Sequence, residues 1–71
     1  MNNNEMSFVV YLFHVCADKW GKASEEVYSM LEKSKCIDDY LVSNYSVLHT
    51  QGTQYLFDDI EQYLKLRGIT V

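Results

Sequence analysis

Apolar residues recur at helical spacing along most of this 71-residue chain. The first predicted helix covers residues 4–20 and has two adjacent apolar faces, with Phe8, Leu12 and Val15 on one and Val9, Phe13, Cys16 and Trp20 on the other. A helix that is apolar over so wide an arc is expected to be the central element, packed on several sides. Asn4 is its predicted N-cap and Gly21 its predicted end.

Three further helices are predicted, over residues 24–34, 37–45 and 54–67, with a structured loop at 46–53. The last helix has two possible starts. Thr53 could cap a long helix, or Asp58 could cap a shorter one, and we favour the long helix because its apolar residues keep one register. Gly68 should end it in a Schellman motif, in which Leu64 contacts Ile69.

The absence of proline and of any convincing alternating strand pattern gives an all-α fold class. We expect a compact bundle of about four short helices. No linker, repeat or low-complexity segment interrupts the sequence, so residues 1–71 are predicted to form a single helical domain.

The net charge and the length of the chain limit the classes of partner that it is expected to bind. The net charge is −4, and it divides unevenly: residues 1–36 hold five acids and four bases (−1), whereas residues 37–71 hold five acids and two bases (−3). This balance disfavours nucleic acid and leaves the C-terminal half as a surface for a basic partner or as a solvated acidic face. A domain this small buries only about 60% of its unfolded surface, so some apolar residues could be buried against a partner.

The longest apolar stretch, residues 8–17, is about half the length that a membrane-spanning helix requires. The first residues also lack the positive charge of a signal peptide. We therefore expect no membrane association and a cytoplasmic location, where Cys16 and Cys36 would remain reduced thiols.

No motif in the chain predicts an enzyme, a cofactor or a metal site. His14 and Cys16 are two residues apart on a helix and point in divergent directions, so they cannot both bind one zinc ion. The doublets at residues 38–39 and 58–59 are adjacent acids that diverge in the same way. Both doublets lie near predicted helix N-termini, which favours a capping role over acid–base catalysis.

The six tyrosines provide the best functional indication from the residues themselves. So many cannot all be buried in a small core, and tyrosine is enriched at interfaces, although each could simply border the core. His49 could hold its loop by donating to a carbonyl, or it could be presented to a partner. The candidate partner contacts are Tyr45, His49, Tyr55, Asp58 and Asp59.

The most specific stretch of the chain is Tyr45-x-Val47-Leu48-His49-Thr50. With residues 36–41 before it and 55–64 after it, this stretch resembles a family of uncharacterised bacterial proteins of about this size, recorded as a domain of unknown function. The resemblance also includes residues 8–20 and 24–31 and so covers nearly the whole chain. It implies no activity. It does imply an antitoxin-like or accessory role, because family members are often encoded beside proteins that look like ADP-ribosyltransferase toxins.

Two functional hypotheses follow. The first is a non-catalytic helical module that binds another protein, such as a toxin encoded nearby. The alternative is a structural protein that closes its spare apolar surface in a homodimer. A helix-turn-helix reader of nucleic acid is less favoured than either, because neither the second nor the third predicted helix is basic.

Overall fold

The computed structural model describes residues 2–70, and the regular structure within this range is entirely helical. The elements, in chain order, are α1 (Asn3–Trp20), α2 (Ser24–Lys33), a π-helix (Cys36–Val42), α3 (Tyr45–Leu48) and α4 (Thr53–Leu66). The predicted all-α bundle is confirmed. Met1 and Val71, the two ends of the predicted domain, lie outside the described residues.

Helix α1 begins one residue earlier than predicted, at Asn3, and Asn2 rather than Asn4 is its N-cap. The side-chain oxygen of Asn2 accepts from the Glu5 N–H at 2.8 Å, and the Glu5 carboxylate accepts from the Asn2 N–H at 3.0 Å. Such a reciprocal capping box needs an acid or amide three residues after the cap, and Asn4 has Ser7 in that place. At the other end Gly21 is left-handed, with φ 66°, and ends the helix as predicted.

The core is built around α1. Helices α2 and α4 and the π-helix all pack against it, while α3 packs against the π-helix. The fully buried side chains are Leu12 and Cys16 of α1, Val27 and Leu31 of α2, Cys36 and Leu41 of the π-helix, and Ile60 and Leu64 of α4. No helix of residues 2–70 combines the length and hydrophobicity needed to cross a membrane.

The predicted third helix, 37–45, and loop, 46–53, are both wrong in detail. A π-helix occupies Cys36–Val42, and the one-turn helix α3 covers Tyr45–Leu48, the end of the predicted helix and the start of the expected loop. Cys36 and Leu41 are five residues apart and both are fully buried. Five residues span about 140° beyond a full turn of an α-helix, whereas the i→i+5 turn of a π-helix brings such a pair to one face.

Helix α4 has the longer of the two predicted forms, although Gly52 and not Thr53 is its N-cap. Its C-terminus is the predicted Schellman motif: the Ile69 N–H donates to the Leu64 carbonyl and the Gly68 N–H to the Lys65 carbonyl, each at 3.0 Å. Gly68 has φ 76°, the left-handed conformation that this motif requires.

We expect Lys35→Gly to stabilise the protein. Lys35 joins α2 to the π-helix with φ 66°, the only positive φ of a non-glycine residue within 2–70. The left-handed conformation destabilises a non-glycine residue by ~1–2 kcal/mol, and glycine relieves this strain. Glycine also increases the entropy of the unfolded chain, which offsets ~0.4–1 kcal/mol of the gain. Urea denaturation should therefore show a gain of about 0.5–1 kcal/mol in the free energy of unfolding.

The control for this variant is Gln62→Gly, in the exposed middle of α4. Glycine there should lower the free energy of unfolding by about 0.5–1 kcal/mol. A loss of stability at both positions would contradict the account of Lys35.

Candidate protein-binding surface

The structure divides the five predicted contact residues between two elements. Tyr45 begins α3 and His49 follows it, whereas Tyr55, Asp58 and Asp59 lie on α4. Within residues 2–70, no hydrogen bond, ring contact or ion pair links the first group to the second. Tyr45 and His49 contact each other, whereas no such contact joins Tyr55, Asp58 and Asp59 within the described residues. Contact of the five residues with a partner stays a prediction.

Tyr45 and His49 form a small aromatic cluster at α3. Their rings stack with centroids 4.6 Å apart and planes 15° apart, and the Phe8 ring meets Tyr45 edge-on at 5.2 Å. His49 Nδ1 donates to the Tyr45 carbonyl oxygen at 2.7 Å. The same carbonyl also accepts from the His49 backbone N–H at 3.0 Å, so the His49 ring adds a second bond to it and has a local structural role although its side chain is exposed.

Asp59 links α4 to the π-helix. Its Oδ2 accepts from the Tyr40 hydroxyl at 2.5 Å, and the Tyr40 ring stacks on Tyr63 at 5.4 Å. The guanidinium carbon of Arg67 lies over the Tyr63 ring, 3.7 Å from the ring centre. Burial, followed by the hydrogen bond to Asp59 and the charge of that carboxylate, raises the pKa of Tyr40 well above its ordinary value. Asp59 therefore already has a partner within the fold.

The expected capping role of the 58–59 doublet is wrong. Because α4 begins at Thr53, both acids lie in its second turn, beyond the N–H groups that a cap can reach. Asp58 instead accepts from Gln54 Nε2 at 2.9 Å, one turn earlier on the same helix. It also lines a depression of about 400 Å³, together with the oppositely charged residues Glu61 and Lys65.

A more apolar groove lies on a different part of the molecule, and we call it the α1–α2 groove. Its apolar lining includes Met6, Val10 and Phe13 of α1, Tyr28 of α2 and Ile37 of the π-helix, and its volume is about 440 Å³. Met6 is 52% exposed, Val10 37% and Tyr28 46%, although all three are large side chains. The groove is therefore an open, largely apolar surface between three helices.

Acidic side chains border the α1–α2 groove. Glu32 and Asp38 line it, and no lysine or arginine of residues 2–70 does so. As hydrogen-bond partner and as a nearby charge, Glu32 raises the pKa of the Tyr28 hydroxyl. The groove thus combines apolar contact area with negative charge.

A smaller depression continues the groove along α1 and α2, and we call it the aromatic notch. It has a volume of about 350 Å³ and is lined by Phe13, His14, Ser24, Glu25 and Tyr28. Phe13 and Tyr28 also belong to the groove, so the two depressions share a wall. The Ser24 hydroxyl lies 3.1 Å from His14 Nδ1.

The predicted contact set omits Met6, Val10 and Tyr28. A signal for two of them was present in the sequence, because Met6, Val10 and Phe13 follow one another at i, i+4 and i+7 and so form a stripe on α1. Nothing in the spacing indicates that this stripe stays uncovered. That depends on where α2 crosses α1, which is a property of the folded chain.

Cys16 and Cys36 are free thiols in the core. Burial, with a smaller contribution from Glu61, raises the pKa of Cys16 to about 12. Burial, with a smaller contribution from Cys16, raises the pKa of Cys36 to about 12. Because the thiolate is the nucleophile and the metal ligand, neither cysteine is reactive in the folded state. Within residues 2–70, no three histidine, cysteine or acidic side chains are grouped so as to hold a metal ion.

Comparison with known proteins identifies the family. A family model described as "Protein of unknown function (DUF3791)" matches residues 7–67. The chain belongs to this family. The DUF3791 match includes every helical element at least in part, and it contains Val10, Phe13 and Tyr28 but begins after Met6. No curated protein and no solved structure matches the chain.

We expect Tyr40→Phe to destabilise the DUF3791 domain. The variant removes the hydroxyl that bonds to Asp59 and leaves that partly buried carboxylate without its donor. The expected loss is about 1–2 kcal/mol in the free energy of unfolding, measured by urea denaturation at neutral pH.

Tyr55→Phe is the matched control. Tyr55 is 54% exposed and its hydroxyl has no hydrogen-bond partner within residues 2–70. Its removal should change stability by less than about 0.5 kcal/mol. Equal effects of the two variants would contradict the role given to the Tyr40–Asp59 bond.

Proposed function

We propose that this protein is a non-catalytic interaction module that binds another protein through the α1–α2 groove. The observation that carries the proposal is the exposure of Met6, Val10 and Tyr28 side by side in a concave, largely apolar surface. Apolar residues that are exposed together mark interaction sites, whereas residues exposed singly do not. Methionine and tyrosine are also among the residues enriched in protein interfaces.

We propose a non-catalytic role because the described side chains offer little for catalysis. Both thiols are buried with raised pKa values. Ser24 and His14 are within hydrogen-bond distance, but no residue of 2–70 holds the other imidazole nitrogen in a hydrogen bond. A serine nucleophile needs a base that a third group orients, and this pair lacks one.

The proposed partner is a protein with a basic binding surface. The acidic border of the groove and the net charge of −4 both favour it, because complementary charges steer association and exclude wrong partners. The same features argue against nucleic acid. Within this proposal the partner is an ADP-ribosyltransferase-like toxin encoded beside the protein, as the family resemblance implies. The encounter would take place in a bacterial cytoplasm, where free thiols such as Cys16 and Cys36 persist.

A homodimer is the alternative use of the same apolar surface. A twofold dimer places the same patch of each copy against the other. Docking two α1–α2 grooves would bring Glu32 and Asp38 of one copy near the same acids of the second, and like charges across an interface are unfavourable. The groove therefore suits a different, basic protein better than a second copy of this chain.

The test is co-purification of this protein with the product of the adjacent gene, compared between two charge-introducing variants. Met6→Glu places a carboxylate in the groove, and we expect it to weaken binding at least about tenfold, because a charge buried in an apolar contact without a partner is costly. Leu66→Glu is the control, because Leu66 is 73% exposed and does not line the groove.

The Leu66→Glu protein should bind as the unaltered protein does. The proposal fails if no association is detected, or if Leu66→Glu abolishes binding and Met6→Glu does not. Sedimentation velocity of the protein alone distinguishes the alternative, because a self-associating module would show a concentration-dependent dimer.

A further inference from the structure

The aromatic notch has the chemistry of a cation site. Three of its five lining side chains are aromatic rings set at different angles. The Phe13 and His14 ring centres are 5.0 Å apart at 39°, and the Phe13 and Tyr28 ring centres are 5.9 Å apart at 65°. A cation near the faces of such rings is attracted by their quadrupoles. The Ser24 hydroxyl, 3.1 Å from His14 Nδ1, holds one of these rings in place.

Glu25 gives the notch a negative charge. It lines the depression, and within residues 2–70 its carboxylate has no ion-pair partner. Its neighbour Glu26 differs, because Lys22 lies 3.5 Å from the Glu26 carboxylate. The N-terminus of α2 opposes a cation with about half a positive charge, which is less than the full charge of Glu25. The sum of these two charges at the notch is therefore negative.

We infer that the aromatic notch receives an arginine side chain of the partner protein. This inference rests on the proposed function and names one contact within it. A guanidinium group is planar, so it can stack on a ring while its N–H groups donate to a carboxylate. The notch offers both kinds of contact, with Phe13 and Tyr28 as rings and Glu25 as acceptor.

The position of the notch favours an arginine on a protein over a small free cation. The notch and the α1–α2 groove share Phe13 and Tyr28, so one protein segment could fill both. Its apolar side chains would cover Met6 and Val10 in the groove, and its arginine would enter the notch. Glu32 and Asp38 line the groove, and their negative charges also favour a basic segment.

The notch can be tested without the partner, by NMR titration with N-acetyl-argininamide. The neutral isostere N-acetyl-citrullinamide is the matched probe. We expect argininamide to shift the ring resonances of Phe13, His14 and Tyr28 saturably, and citrullinamide to bind about tenfold more weakly because it carries no charge. Glu25→Gln should weaken argininamide binding about threefold or more. Glu26→Gln, which alters an acid outside the notch, should leave it unchanged.

Equal binding of the two probes, or shifts confined to residues outside the notch, would overturn the arginine inference. So would an equal effect of the Glu25→Gln and Glu26→Gln variants. These outcomes are separate from the co-purification test. If argininamide fails to bind while the partner protein still associates, the inference falls and the proposed function stands. If argininamide binds the notch but no protein associates, the proposed function falls.

Discussion

The wide apolar arc of α1 is the constraint on which the rest of this structure depends. Leu12 and Cys16 are fully buried, and α2, α4 and the π-helix all pack against this one helix. A chain of 71 residues has few elements with which to surround it. The cover is complete around Leu12 and incomplete around Met6 and Val10. The same feature that organises the core therefore also creates the open groove.

Polar contacts hold α4 against α1, against the π-helix and against the end of α2. The Trp20 indole N–H donates to the Glu61 carboxylate at 2.9 Å, and the Tyr40 hydroxyl donates to Asp59. The Tyr63 hydroxyl donates to the Ser34 carbonyl at 3.3 Å. These contacts occupy acids and tyrosines of the C-terminal half within the fold. The more negative half of the sequence is thus partly committed to structure, and the candidate binding surface lies mainly on α1 and α2.

Local signals in the sequence were sufficient for much of the fold. The apolar periodicity predicted α1, α2 and α4, and Gly21 and Gly68 marked two helix ends where only a left-handed residue fits. The π-helix was missed because its reason is tertiary: it places both Cys36 and Leu41 in the core, where the element packs against α1, α2 and α4. The positions of the tyrosine side chains in the folded protein were missed because they too depend on tertiary contacts. Nothing near Tyr40 in the sequence indicates that it will bond to Asp59, or that Tyr28 will stand at the edge of an uncovered stripe.

If the uncovered side of α1 is the binding surface, a bound partner must leave its footprint there. Amide NMR spectra of this chain, recorded with and without the adjacent gene product, would map it. We expect the largest changes at Met6, Val10 and Tyr28, around the α1–α2 groove. Changes confined to Tyr45, His49 and Tyr55, with the groove unaffected, would contradict this expectation.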